Sequence, residues 1–375
     1  MKKSIENKIT DPIEKRDLVV FSLNEVYYWE PFWKILVDEE KLAHVCVEIE
    51  AKTSYSSLFN ANVPHAEIDY CPKLFLSGNI LKKYIDTFSL LLKHRKKNVL
   101  ITQYLSVFNW YCLILSYFLG CNVLFKGESI LLEGEKVKLL KNIYLKVFFF
   151  FCHEIFFSCS GNKRLFEKIV PRRALKPLLC FCDDIPRKYV KDKTQYRYQN
   201  KLNIVLCGSF YHIKNFEVIV EILDKYPKLI GMVKIHLIGS GEKLELIRTG
   251  LERLGADFTA YGYCIPKKVP KILHKFGDIL LFPSARDNSP KIVNEAMTVG
   301  MPILISKNCG TTDDLIAEGK NGFTFDYRDV DEIAEYINFF INNPNKLPIM
   351  GGISKDIVSQ FTAVNAARGF ISVLN

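Results

Sequence analysis

From residue 202 onward the chain repeats one pattern: a short apolar run, then a longer stretch with helical period, then another apolar run. The strand-like runs are Ile204–Cys207, Val233–Ile238, Phe258–Tyr261, Ile279–Phe282 and Ile303–Ile305. Between the first two, Phe216, Ile219, Val220, Leu223 and Tyr226 fall on one helical stripe. Strands alternating with helices cannot pair as hairpins, so this half is expected to form a parallel, doubly wound sheet. The first half follows the same plan less cleanly, with candidate strands at Leu18–Phe21, Val45–Val47, Val99–Thr102, Val123–Phe125 and Ile155–Ser158. A chain of 375 residues that is 49% hydrophobic is long enough for two cores of this kind. The expected division is a first α/β domain over 1–185, a polar linker over 186–201, a second α/β domain over 202–353 and a terminal helical segment over 354–375.

The richest chemistry lies between Asp278 and Phe325, which reads as strand, turn, helix, strand. Asp287 and Glu295 are separated by seven residues across the turn and the start of the helix. Ser289 suits an N-cap and Pro290 a first helical position, while Gly300 ends the helix before Met301-Pro302. A helix opening straight after a buried strand aims free backbone N–H groups above the sheet, a natural seat for phosphate. Lys214 and Lys291 are expected near helix N-termini, where a cation opposes the helix dipole unless an anion lies between them. Helical side chains lean toward the N-terminus, so Glu295 would bring its carboxylate toward the same ligand. Plainer roles exist for each: exposed lysines, a solvent-facing glutamate, and an Asp287-Asn288 turn closed by the aspartate itself.

This segment resembles the sugar-nucleotide signature of the retaining glycosyltransferases of GT-B fold, family 4 (glycosyl transferases group 1). The resemblance runs through Gly208-Ser209-Phe210, Lys214, Ile238-Gly239-Ser240-Gly241, Tyr261-Gly262-Tyr263, Phe282-Pro283-Ser284, Glu295-Ala296-Met297, Gly300-Met301-Pro302, Cys309-Gly310, Asp313 and Gly319 to Gly322. It implies the GT-B architecture: two Rossmann-like, doubly wound parallel-sheet domains facing an interdomain cleft, with the last segment crossing back to the first domain. It also implies a donor site of Gly208, Ser209, Lys214, Gly241, Tyr263, Arg286, Asp287, Ser289, Pro290, Lys291, Ile292 and Glu295. In that likeness Glu295 takes the ribose hydroxyls, Asp287 contacts the donor sugar and Lys214 stabilises the departing diphosphate, so Asp287 and Lys214 are the catalytic candidates. The implied reaction retains anomeric configuration and needs neither metal nor cofactor; the expected substrates are a nucleoside diphosphate sugar and the hydroxyl of a lipid-linked glycan in O-antigen, lipopolysaccharide or capsule assembly. Departures from the family include Ser209, where an arginine is common, Cys309, where a glycine is usual, and Asp287, where a glutamate is usual; in the first half Ser22-Leu23-Asn24-Glu25 stands in place of a glycine-rich turn and Lys126-Gly127 in place of a His-Gly pair. A serine brings no charge, which shifts the burden to Lys214 and Arg286. On the acceptor side only Asn24, Lys126 and Glu128 offer themselves, and a surface turn explains the last two equally well. A GT-B epimerase acting on the donor alone, or a degenerate partner subunit, would share much of this pattern.

Charge and composition narrow the setting. The net charge is +10, yet residues 81 to 200 hold 22 basic and 9 acidic side chains, or +13, leaving 29 − 32 = −3 elsewhere. A basic stretch beside Phe148-Phe149-Phe150-Phe151 suits docking on an anionic membrane surface; a solvated face over a buried element is the plainer reading. No nucleic-acid motif accompanies the charge, so nucleic acid is not an expected partner. The 11 cysteines show no paired metal or disulfide spacing and are expected to be reduced thiols. No signal-like block opens the chain, and the apolar runs are too short or too interrupted to span a bilayer. The expected location is the cytoplasm, peripheral to the inner face of the membrane.

Overall fold

Thirteen described strands, mostly runs of Val, Ile, Leu and Phe, sort into two all-parallel sheets. Such strands are covered on both faces, which is why they read as continuous apolar runs rather than as alternation. The computed structural model describes residues 18–22, 29–38, 44–49, 73–76, 80–181, 185, 187–190, 196 and 201–374. The first sheet contains β1 (Leu18–Ser22), β2 (His44–Ile49), β3 (Lys73–Leu76), β4 (Asn98–Ile101), β5 (Asn122–Lys126), β6 (Glu154–Phe157) and β7 (Leu175–Pro177), in the order β3-β2-β1-β4-β5-β6-β7. The second contains β8 (Leu202–Cys207), β9 (Val233–Ile238), β10 (Phe258–Gly262), β11 (Ile279–Phe282), β12 (Ile303–Ser306) and β13 (Gly322–Phe325), in the order β10-β9-β8-β11-β12-β13. Each sheet grows one way for three strands and then reverses beside its first strand. This is the doubly wound order, and it creates a switch point between β1 and β4 in one sheet and between β8 and β11 in the other.

In the first unit the helices are α1 (Glu30–Asp38), α2 (Ile80–Lys93), α3 (Val107–Phe118), α4 (Leu139–Phe150) and α5 (Ser160–Ile169). Leu90 and Leu91 of α2, Cys112 and Leu113 of α3, Phe148 and Phe149 of α4 and Phe166 of α5 close over Val19, Phe21, Val99, Ile101, Val123 and Phe125. Phe148 and Phe149 are therefore core residues, and only Phe150 of the expected aromatic docking run is freely exposed. The second unit carries α6 (Val218–Lys225), α7 (Leu244–Arg253), α8 (Val269–Phe276), α9 (Lys291–Val299), α10 (Thr312–Leu315), α11 (Val330–Asn342) and α12 (Lys346–Val358). Asp329 caps α11 by accepting from the Asp331 and Glu332 backbone N–H groups, so the Asp-x-Asp string there is a helix cap.

The terminal segment differs from the expected single helix over 354–375. Ser354 is buried in the middle of α12, hydrogen-bonded to Asn321, and the helix runs on to Val358. The break comes at residues 359–362, and a separate helix, α13 (Ala363–Ile371), belongs to the first unit, where it packs on α1. Phe370 of α13 meets Phe32 of α1 and Phe156 of β6 edge-on or tilted, at ring-centroid separations of 5.6 and 5.1 Å. The earlier boundary also moves: residues up to Leu179, apart from 159–161, group with the first unit, and Cys180 already groups with the second.

Candidate active site

All strands of the second sheet are parallel, so the loops after β8, β9, β11 and β12 emerge along one edge. Two glycine turns bring the first two of these loops together. Gly208 and Gly241 both have positive φ, at +149° and +152°. A side chain on Gly241 would collide with the backbone of Phe210 at 2.6 Å, so only glycine lets the chain pass there. The Phe210 N–H donates to Ser240 and the Lys243 N–H to Phe210, which laces the two loops side by side. Ser209 sits in this crossing.

Lys214 and Asp287 meet at the switch point. The lysine ends a 3-10 turn, His212–Lys214, after β8, rather than opening an α-helix as the sequence suggested; α6 begins four residues later. Asn215 follows it with φ of +54° and donates its side-chain amide to the Tyr327 carbonyl. Asparagine tolerates this left-handed conformation better than most residues, and it turns the chain so that Lys214 points across the sheet edge. The lysine ammonium donates to Asp287 Oδ2, forming an ion pair in which both side chains are largely covered. It also lies 5.4 Å from the centre of the Phe282 ring. The other oxygen, Oδ1, accepts the Ser289 N–H at 3.0 Å, so the aspartate closes its own turn as well. Asp287 thus supports its turn with one oxygen and pairs with Lys214 through the other.

The loop carrying Asp287 is tied down from two sides. Ser284 Oγ donates to the Ile213 and Arg286 carbonyls, and the Ala285 N–H also donates to Ile213. On the far side the Asp287 N–H donates to Asn308 and the Gly310 N–H to Asp287, a single parallel bridge that sets Asp287 opposite Cys309. The Asn308 side-chain amide adds a bond to the Ala285 carbonyl. Burial pushes the Cys309 thiol well up, with the neighbouring Asp287 charge adding to the effect and Lys214 opposing it. A cysteine in place of the usual glycine is thus accommodated as a buried, protonated side chain.

Glu295 lies on α9, only 9% exposed. Its carboxylate helps burial raise the thiol of Cys207 at the end of β8, which puts the negative charge near the sheet edge rather than in solvent. The helix itself starts one residue later than expected: Pro290 occupies the cap and Lys291 is the first helical residue. Ser289 does not cap it, and its hydroxyl is buried without a hydrogen-bond partner. Gly300 ends the helix in the left-handed conformation, with φ of +99°. Arg286, Lys291 and Ile292 flank the same turn and are partly buried, and Tyr263 is exposed in the loop after β10. Within the first unit Lys126 and Glu128 form a close pair, 2.6 Å apart, at the end of β5, and the lysine also lies 4.0 Å from the centre of the Trp29 ring. Lys126 holds the Glu128 carboxyl below its usual range. Asn24 lies outside the described residues. The supports that sequence reasoning missed are Asn215 and Asn308, of which only Asn215 advertises itself, as an asparagine at a turn; Ser284 stands in the signature string, but its bond to Ile213 was not foreseen.

Two doubly wound parallel sheets with reversed strand order define the GT-B class, and solved structures agree across almost the whole chain. The crystal structure of Anabaena Alr3699/HepE in complex with UDP matches with a TM-score of 0.74 at 15% identity, covering 95% of this chain and 98% of that one. The lipopolysaccharide outer core galactosyltransferase WaaB, in its apo form, matches with a TM-score of 0.72 at 16% identity and the same coverage. Residues 190–354 match the family described as glycosyl transferases group 1. Among curated relatives, an uncharacterized glycosyltransferase of Haemophilus influenzae is 24% identical over 147 residues, 39% of this chain and 41% of that protein. The matches span less than half the length of the curated relatives.

Proposed function

We propose that this protein is a retaining, metal-independent glycosyltransferase that moves a sugar from a nucleoside diphosphate donor to the hydroxyl of a glycan acceptor. The observation that carries the reading is the covered Lys214–Asp287 pair at the β8/β11 switch point, one turn ahead of the helix that bears Glu295. In this reading the diphosphate draws the Lys214 ammonium onto its developing charge, freeing Asp287 to accept from a sugar hydroxyl, while Glu295 binds the ribose. Backbone N–H groups at the start of α9 complete the phosphate seat. The cation that stabilises the leaving group is a side chain, so no metal or cofactor is called for. Gly208, Ser209 and Gly241 shape the floor, and Tyr263, Arg286, Lys291 and Ile292 border the donor.

The likeness to an enzyme of lipopolysaccharide assembly supports a lipid-linked acceptor in cell-surface polysaccharide synthesis, with Lys126, Glu128 and Asn24 on the acceptor side. A cytoplasmic place of work against the anionic inner leaflet follows from such an acceptor. Among the described residues no helix is long and apolar enough to cross a membrane. The test is a thermal-shift panel of nucleotides and nucleotide sugars, followed by product analysis of the best donor with and without lipid-linked acceptor. A ligand that binds only the folded state raises the midpoint, by about 2.7 kcal/mol of stabilisation at a hundredfold excess over Kd. One sugar nucleotide should raise it, and transfer should need the acceptor and preserve anomeric configuration. No shift with any donor, or conversion of the donor alone, would overturn the reading.

A further inference from the structure

Most of the exposed large apolar side chains lie in one part of the molecule. Of the 20 among the described residues, 13 fall between Leu81 and Phe150. Leu105 lies in the loop before α3, and the other twelve are carried by three helices, α2, α3 and α4, that share the first unit's core on one face of its sheet. Neighbouring helices touch through aromatic pairs: Tyr84 of α2 with Phe108 and Tyr111 of α3, and Trp110 of α3 with Tyr144 and Phe148 of α4. The helices therefore form one layer, α2-α3-α4, with a buried inner side and a solvent side.

The solvent side has a pattern of its own. At about 100° per residue, Leu81, Ile85, Phe88 and Leu92 of α2 fall within about 60° of one another, directly opposite the buried Leu90. An ordinary surface helix would place polar residues there. On α4, Leu139, Ile143 and Phe150 make a similar stripe, with the Lys146 position inside it. Between them α3 contains no charged residue, and its outward positions include Ile114 and Phe118, the latter 75% exposed. Three adjacent stripes make a patch well beyond the scattered apolar residues that monomers tolerate.

Charge frames this patch with one sign. From residue 80 to 150 there are 11 basic and 4 acidic residues, or +7. Lys138, Lys141 and Lys146 on and beside α4 are exposed and form no ion pair among the described residues. Long lysine stems can lie along apolar surface while the ammonium reaches outward to phosphate. Apolar stripes in the centre with lysines among and around them match the depth profile of an anionic lipid leaflet, with acyl chains inside and headgroup phosphates at the rim.

We propose that the outer faces of α2, α3 and α4 form the docking surface of this protein on an anionic lipid bilayer. The proposal rests on the membrane part of the reading above and not on its chemistry. It also moves the contact away from Phe148 and Phe149, which belong to the core.

The experiment is sedimentation of the full chain with vesicles of phosphatidylcholine and phosphatidylglycerol, with phosphatidylcholine alone as control. Two variants change only exposed positions: Phe118→Ser with Phe150→Ser, and Lys138→Ala with Lys141→Ala and Lys146→Ala. Wild type should bind the anionic vesicles, bind the neutral ones at least tenfold more weakly, and lose binding as salt is raised. Each lysine near such a surface is worth about fivefold, so the triple variant should lose on the order of a hundredfold. The phenylalanine pair should lose more than tenfold, with the melting midpoint and the donor-induced thermal shift of both variants kept. A missing donor shift with intact vesicle binding would then count against the catalytic reading alone. Absence of vesicle binding, or variants that bind as well as wild type, would overturn the proposal. So would a stable dimer in light scattering that the phenylalanine changes dissolve, because the patch would then be covered by a second copy.

Discussion

In the proposed reaction the Lys214–Asp287 ion pair is both resting state and reagent. With no diphosphate between them the two charges satisfy each other under partial cover, beside the Phe282 ring. On that proposal an arriving diphosphate would compete for the ammonium, offering it more negative charge than one carboxylate. Ser209, uncharged where an arginine is common, leaves Lys214 as the cation best placed by the crossing of the β8 and β9 loops. Lys214→Ala is therefore expected to lower turnover by about 10²–10³-fold, the range seen for loss of one charge-stabilising group. The fold should persist, because Asp287 keeps its bond to the Ser289 N–H and its backbone bridge to the β12 loop. Steady-state kinetics beside a melting curve decides the matter, and unchanged turnover in a folded variant would remove Lys214 from the chemistry.

At the scale of elements, every strand that escaped reading lies at a sheet edge, although one edge strand, β10, was read from its run Phe258–Tyr261. The central strands β1, β4, β5, β8, β11 and β12 were legible because burial on both faces demands unbroken apolar runs. Three strands that were not legible, β3, β7 and β13, are all edges: LKP contains a proline and GFTF opens on a glycine. An edge strand needs only one neighbour, so it can be short and can hold residues that a central strand excludes. The pairing of Lys214 with Asp287 and the bonds of Ser284 and Asn308 were not legible, since Lys214 and Asp287 lie 73 residues apart and the partners Ile213 and Ala285 lie 71 and 23 residues away. Helix packing hid another constraint. Gly351, inside α12, lies so close to the end of α9 that an added Cβ would overlap the Gly300 carbonyl oxygen and the Tyr196 hydroxyl that donates to it. Helix propensity alone would favour alanine by about 1 kcal/mol, but overpacking of this kind costs about 1–3 kcal/mol. Because the obstacle is backbone, the second effect should win, and Gly351→Ala should lower the urea midpoint; a rise would show that α12 can move away from α9.

Across the whole molecule, the path of the chain couples two units that are otherwise distinct. The second unit ends at Thr362, yet the next residues return to the first, where α13 packs on α1. Phe370 is the anchor, fully buried against Phe32 and Phe156, and Ala363 and Ala367 let α13 approach closely. Phe370→Ala removes a core aromatic and leaves a cavity, a change worth about 3–5 kcal/mol. That loss belongs to the first unit alone, because every partner named here lies in it. Calorimetry should show the change in one place only: the transition of the first unit moves down in temperature, while the nucleotide-responsive transition of the second keeps its midpoint and its shift with donor. If both transitions fell together, the two units would unfold as one cooperative body, and α13 would be stabilising the donor site as well as the sheet it covers.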